Sequence, residues 1–263
     1  MDKFVRLAVF LLGTFGMSVS TQATGIPAGS STSMPAPRLH LVGDSTMADK
    51  TNLHYPERGW GQLLRAFMLP ELSIINHAAN GRSTLRFLNE GRWQLLVSDL
   101  AEGDYVLIQF GHNDQKQDDP ARYAAVDSTY PQLLRRFISE VRSKGATPML
   151  ASSICRRSFS DKGELENKLA DYADAARQVA ASEKVAFFDL NAQSCDALSR
   201  FGPAASQAYF IQVPPGLYQQ YPDGKIDNTH LSVQGASWIA QLFVRDLTAR
   251  QHPLAQYVWR ELL

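Results

Sequence analysis

The chain reads as an α/β domain in which a parallel sheet is covered on both faces by helices. Short apolar runs rich in β-branched and aromatic residues recur at "LHLV", "LSIIN", "DYVLIQF", "TPMLASSI" and "KVAFFDL". Stretches with helical spacing separate them. A composition of 44% hydrophobic and 20% charged residues over 263 positions supplies a globular core. Strands that alternate with helices are joined by crossovers, so they run parallel, and parallel strands are buried on both faces.

The elements follow in chain order. Lys3 and Arg6 precede an apolar run from Leu7 to about Met17, and small residues close the segment near Ala23. This is the pattern of a secretory signal peptide over 1–23, shorter than the roughly 20 apolar residues of a spanning helix. Residues 24–37, "TGIPAGSSTSMPAP", are rich in Ser, Pro and Gly and read as a flexible leader. A single domain is expected over 38–263. Its first strand, "LHLV", stops at Gly43, and helical spacing follows at 61–69, 84–100, 130–144, 167–183 and 231–248, each after an apolar run or a turn. Pro131 suits a helical first turn. The stretch 191–227 shows no clear period and many turn residues, which marks a long irregular segment of the kind that often carries function. Its aromatics Tyr209, Phe210, Tyr218 and Tyr221 suit loop anchoring better than sugar stacking. No internal repeat is visible.

Charge and cysteines narrow the classes. Loss of 1–23 would remove Lys3, Arg6 and Asp2 and leave the chain nearly neutral, so neither nucleic acid nor a membrane surface is an expected partner. A monomer in the periplasm or outside the cell is expected. The two cysteines, Cys155 and Cys195, follow the fourth and fifth apolar runs, and in an oxidising compartment a bridge between them is expected. Two free buried thiols are the alternative.

In an open parallel sheet the ligand crevice lies at the carboxyl ends of the strands. There the first strand delivers Gly43-Asp44-Ser45, the second Asn80-Gly81-Arg82-Ser83, and the third Gly111-His112-Asn113-Asp114. A hydroxyl, a glycine backbone and a carboxamide are the parts of a nucleophile with an oxyanion hole, whose donors are each worth about 3 kcal/mol. A serine hydroxyl needs a base. Of the six histidines, His40 lies within a strand, His54 and His77 lack an evident orienting acid, His112 belongs to the donor loop, and His252 is in the tail. His230 follows Asp227 by three residues where a loop turns into the last helix, so one turn of backbone would set carboxylate and imidazole on the same side. Alone, Asp-x-x-His also fits a solvated loop or a helix cap.

Taken together, Ser45 in "GDST", Gly81 in "ANGRS", Asn113 in "GHND" and His230 in "DNTH" resemble the four motif blocks of the GDSL-type, or SGNH, hydrolases. The resemblance implies a flavodoxin-like three-layer α/β/α sandwich on a five-stranded parallel sheet. It implies Ser45 as nucleophile, His230 as base and Asp227 as its orienting acid. The oxyanion hole would comprise the Ser45 and Gly81 N–H groups and the Asn113 amide. "GDSTMADK", "GWGQLL", "FGHNDQK", "CRRSF", "PPGLY" and "YPDGKIDNTHLSVQGA" further resemble the rhamnogalacturonan acetylesterases, carbohydrate esterase family twelve, over nearly the whole mature chain, roughly 38–246. This implies an acetylated pectic polysaccharide or oligosaccharide as substrate and a reaction that requires neither metal nor organic cofactor. Acetylated xylan, another glycan or a small ester would keep the chemistry and change the substrate; a binding protein without turnover is the rival from another class. Trp60, by stacking, and Arg82, by pairing with galacturonate carboxylates, are candidates for the sugar cleft, with packing and loop bracing as their structural alternatives.

Overall fold

A computed structural model describes residues 37–262. The signal segment 1–23 and the leader as far as residue 36 lie outside the described residues. Five parallel strands, β1 (Arg38–Gly43), β2 (Ser73–Asn76), β3 (Tyr105–Gln109), β4 (Thr147–Ala151) and β5 (Ala186–Phe188), form one sheet in the order β2-β1-β3-β4-β5. Each apolar run of the sequence supplies one of them. The chain winds outward from β1 to β2 and then returns to β3 on the other side of β1. That reversal opens a crevice between the carboxyl ends of β1 and β3.

Side chains alternate between the two faces of the sheet, and each face meets its own helices. On one face Leu39, Leu41, Leu107 and Met149 pack with Trp60 and Leu64 of α1 (Trp60–Leu64), and with Leu190 and Leu198 of α6 (Leu190–Ala205). Ile239, Ala240, Phe243 and Val244 of α7 (Val233–Ala249) complete that layer. On the other face Val42, Val106, Ile108 and Leu150 pack with α2 (Thr84–Asn89), α3 (Arg92–Asp99), α4 (Thr129–Ser143) and α5 (Ala170–Glu183) through Phe87, Trp93, Phe137 and Val179.

Three departures from the sequence reading have local causes. The single helix expected over 84–100 is two, because Gly91 takes a left-handed φ of 73° that breaks the helix between α2 and α3. The stretch expected to be irregular over 191–227 begins as α6, whose Asp189 cap accepts from the Ala192 N–H at 3.1 Å. Its second half holds β6 (Phe210–Val213), antiparallel to β7 (Lys225–Leu231). Asp227 and His230 therefore belong to a strand, not to a loop entering a helix. The expected bridge is present: Cys155, just beyond β4, is bonded to Cys195 on α6, with Cα atoms 5.1 Å apart.

Candidate active site

Ser45 lies two residues beyond β1, in the turn that ends at the β1/β3 crevice, and is buried. A chain of buried hydrogen bonds fixes that turn. The Trp60 indole N–H donates to Gln109 Oε1 at 2.7 Å, and Gln109 Nε2 donates to Thr46 Oγ1 at 3.0 Å. Thr46 in turn gives its hydroxyl and its N–H to Asp44 Oδ1 at 2.8 and 2.9 Å. The other Asp44 oxygen lies 3.1 Å from His112 Nδ1. Burial alone would raise the Asp44 carboxyl, but His112 and the two Thr46 donors outweigh it and hold Asp44 below the usual carboxylate range. Burial lowers His112, and Asp44 beside its Nδ1 offsets this only in part.

The second wall is the β6/β7 hairpin. Ile211 pairs with Asp227 and Phe210 with Leu231, so Asn228, Thr229 and His230 bulge out of the ladder. A bulge of this kind re-aims side chains. Here Asp227 Oδ1 accepts from the Thr229 and His230 N–H groups at 2.8 and 2.9 Å, while Oδ2 lies 2.6 Å from His230 Nδ1. The opposite ring nitrogen, Nε2, is 2.8 Å from Ser45 Oγ. Burial would raise the Asp227 carboxyl, yet the His230 ring and the two backbone donors hold it far below the usual carboxylate range, so it is ionised. An ionised acid on Nδ1 keeps the proton there and leaves Nε2 as the acceptor for a hydroxyl proton.

Two further walls carry donors. Gly81 has a left-handed φ of 74°, and its N–H donates to no partner among the described residues. The Ser45 N–H likewise donates to no other group among the described residues. Asn113 gives one amide hydrogen to the Arg82 carbonyl at 3.0 Å, which orients the side chain and leaves the second hydrogen free. Ser45, Gly81, Asn113 and His230 share one open cleft of about 330 Å³ with His54, Glu57, Asn80, Lys116 and Arg122.

Glu57, which the sequence did not single out, is a buried acid in this wall, 2.9 Å from Lys50 Nζ and 3.2 Å from Lys225 Nζ. Its burial is outweighed by Lys50 first, then by His230 and Lys225, so it stays ionised. Lys50 also donates to Asn80 Oδ1 and thereby braces the loop that ends at Gly81. Arg156 links the two halves of the site, donating to Thr229 Oγ1 within the bulge and to the His112 carbonyl at 3.2 Å.

Two expected sugar contacts are corrected. Trp60 is fully buried against Phe243 and bonded to Gln109, so it has no face to offer a sugar; it is part of the support under Ser45. Arg82 places its Nε and Nη2 on Glu90 at 2.9 and 3.1 Å and its Nη1 on the Asn80 carbonyl. Its guanidinium braces a loop, and it is the Arg82 carbonyl that serves the site, by holding Asn113.

A parallel sheet with a Ser-His-Asp relay and unspent N–H donors at its switch point defines a serine-type acyl hydrolase. The profile of the GDSL-like lipase/acylhydrolase family matches residues 41–238, and the chain belongs to that family and is a carboxylic ester hydrolase. It is similar to the rhamnogalacturonan acetylesterase RhgT of Bacillus subtilis, 37% identical over 221 residues, which are 84% of this chain and 94% of that protein. A rhamnogalacturonan acetylesterase of Emericella nidulans is 27% identical across 80% of this chain and 84% of its own length. Among solved structures, an acetylxylan esterase from Geobacillus stearothermophilus superposes with a TM-score of 0.57 at 20% identity, over 81% of this chain and 96% of that one. At that identity the likeness concerns the fold.

Proposed function

We propose that the chain is an exported serine esterase that removes O-acetyl groups from rhamnogalacturonan through an acetyl-enzyme. The observation that carries the mechanism is the 2.8 Å approach of His230 Nε2 to Ser45 Oγ inside an open cleft. Ser45 Oγ attacks the acetyl carbonyl carbon as its proton passes to His230 Nε2. The oxyanion forms among the Ser45 N–H, the Gly81 N–H and the free Asn113 amide hydrogen. The carbon–oxygen bond to the sugar then breaks, and His230 returns the proton to the departing sugar oxygen. Water repeats both transfers on the acetyl-Ser45 ester and releases acetate. Asp227 holds the ring in the productive tautomer throughout.

The substrate reading is supported by the two rhamnogalacturonan acetylesterases to which the chain is similar over most of its length. Export is supported by the basic and apolar pattern of residues 1–23.

Acetate release from acetylated rhamnogalacturonan, acetylated xylan and an aryl acetate tests this, with the parent enzyme and Ser45→Ala side by side. The reading requires preference for the pectic substrate, loss of turnover in Ser45→Ala, and an acetylated Ser45 peptide in acid-quenched parent enzyme. A parent that prefers xylan keeps the mechanism and replaces the substrate. Full turnover by Ser45→Ala removes the mechanism. N-terminal sequencing of the exported protein is expected to begin near Thr24.

A further inference from the structure

The cleft holds three charged side chains besides the Asp227–His230 pair, and two of them are already engaged. Glu57 lies between Lys50 and Lys225. Arg122 gives Nε to Asp119 Oδ2 at 2.5 Å and Nη1 to Asn113 Oδ1 at 3.4 Å. Lys116 differs: among the described residues its ammonium has neither a carboxylate within 4.0 Å nor a hydrogen-bond acceptor, although it lines the same cleft as Ser45 and His230.

Its position is fixed by backbone, not by chance. The Lys116 N–H donates to the Asn113 carbonyl at 3.2 Å, and the Asp119 N–H donates to the Lys116 carbonyl at 3.1 Å. Two successive turns thus hold Lys116 three residues from the amide that faces the reacting carbonyl. Its side chain is half-buried. Burial, followed by the charges of Arg122 and Arg156, lowers the proton affinity of the amine, and Asp118 and Asp119 offset this only in part. A half-buried cation among other cations is an unfavourable arrangement that an incoming anion relieves and a neutral group does not.

From this we infer that Lys116 is the anion subsite of the cleft, pairing with the carboxylate of a uronic-acid unit in the acetylated glycan and so setting its specificity. The inference rests on the pectic reading proposed above. It gives that reading a residue: an acetylated galacturonate backbone carries a carboxylate on or beside the acetylated ring, whereas an acetylated xylose backbone carries none. Lys116 touches substrate away from the reacting atoms, so its contribution falls on KM.

The experiment compares kcat/KM for an acetylated rhamnogalacturonan oligosaccharide with that for a neutral acetylated xylo-oligosaccharide in the parent, Lys116→Gln and Lys116→Arg. The ratio of the two is expected to fall about tenfold in Lys116→Gln, through KM for the acidic substrate, and to be largely kept in Lys116→Arg. Added salt lowers the ratio in the parent and leaves it unchanged in Lys116→Gln. An equal loss on both substrates, or an unchanged ratio, overturns the inference. A second arm separates its failure from that of the pectic reading: inhibition of aryl acetate hydrolysis by a deacetylated oligogalacturonide. If the parent ignores acetylated rhamnogalacturonan yet is inhibited by the oligogalacturonide about tenfold more strongly than Lys116→Gln, the substrate reading fails and the anion subsite stands. If the parent is not inhibited, or both are inhibited alike, the subsite fails.

Discussion

The molecule contains two Asp–His pairs within reach of the same serine turn, and they have opposite surroundings. Asp227 and His230 come from one bulged strand, remain 20% and 28% exposed, and place the second ring nitrogen on Ser45. Asp44 and His112 come from the ends of adjacent strands, are 0% and 2% exposed, and leave His112 Nε2 without a partner among the described residues. Residue types and ring-to-carboxylate contact are the same in both. What separates them is access: one pair faces a cleft and a hydroxyl, while the other is sealed beneath the turn and can only hold it. An Asp beside a His therefore defines a relay only when the far nitrogen meets a reacting group.

The strongest way to break this contrast is to remove one member at a time. Ser45→Ala or His230→Ala is expected to lower kcat by about 10³-fold or more while leaving the thermal midpoint nearly unchanged. Asp227→Asn should lower kcat by on the order of 10³–10⁴-fold, again with little change in stability, because the amide favours the wrong tautomer. Activity assays paired with thermal denaturation check all three. If His112→Ala behaved like His230→Ala in that pairing, the division of roles would be wrong.

Asp44→Ala should act on the other axis. It strands the His112 Nδ1–H and the Thr46 N–H and hydroxyl in the core, at a cost of about 3–5 kcal/mol in urea unfolding. Replacing both Cys155 and Cys195 by Ser should cost about 4 kcal/mol in the chain-entropy account, since the bridge closes a separation of 40 residues. Arg156, which joins the two halves of the site, directly follows Cys155. Activity below the unfolding transition therefore reports whether the bridge also positions that arginine.

A third acid sharpens the contrast through its dependence on pH. Asp114 accepts from the Thr84 N–H and hydroxyl on Oδ1, has no partner for Oδ2 among the described residues, and is pushed up to about 7 by burial. A raised carboxyl binds its proton more tightly folded than unfolded, so its contribution to stability falls as pH rises from about 4 to about 7. Asp44 has the opposite sign: its depressed carboxyl contributes fully above about 4 and loses that contribution as pH falls below its unfolded value. Asp114→Asn should stabilise the fold at pH 8 and change its stability little at pH 4, the difference being the cost of ionising the buried acid. Equal shifts at both values would show that Asp114 does not titrate there.

Much of this was legible in the sequence because it rests on local pattern. The five apolar runs are the five strands of the sheet, and "GDST", "ANGRS", "GHND" and "DNTH" each lie where the crevice needs them. The Asp227–His230 spacing was visible, but not the bulge that makes it work, since the Ile211–Asp227 register depends on a partner strand. Helix α6 was hidden because its buried face uses Asn191, Ser194 and Ala197 alongside two leucines, which weakens the apolar period. Trp60 misled because an aromatic between glycines looks the same whether it faces a sugar or a core. The Asp44–His112 pair and the Glu57–Lys225 pair were invisible for a common reason: their members lie 68 and 168 residues apart in the chain and meet only through strand order and the hairpin.

The hydrogen-bond chain from Trp60 through Gln109 and Thr46 to Asp44 has a consequence in time. Loops at a solvent-facing crevice ordinarily open in local fluctuations and exchange their amide hydrogens early. The Thr46 amide and the Trp60 indole proton are bound to buried acceptors tied to β3, so neither is released unless the sheet itself comes apart. The Thr46 amide and Trp60 indole hydrogens should therefore exchange close to the rate of global unfolding, while the Ser45 amide in the same turn, which has no acceptor among the described residues, should exchange early.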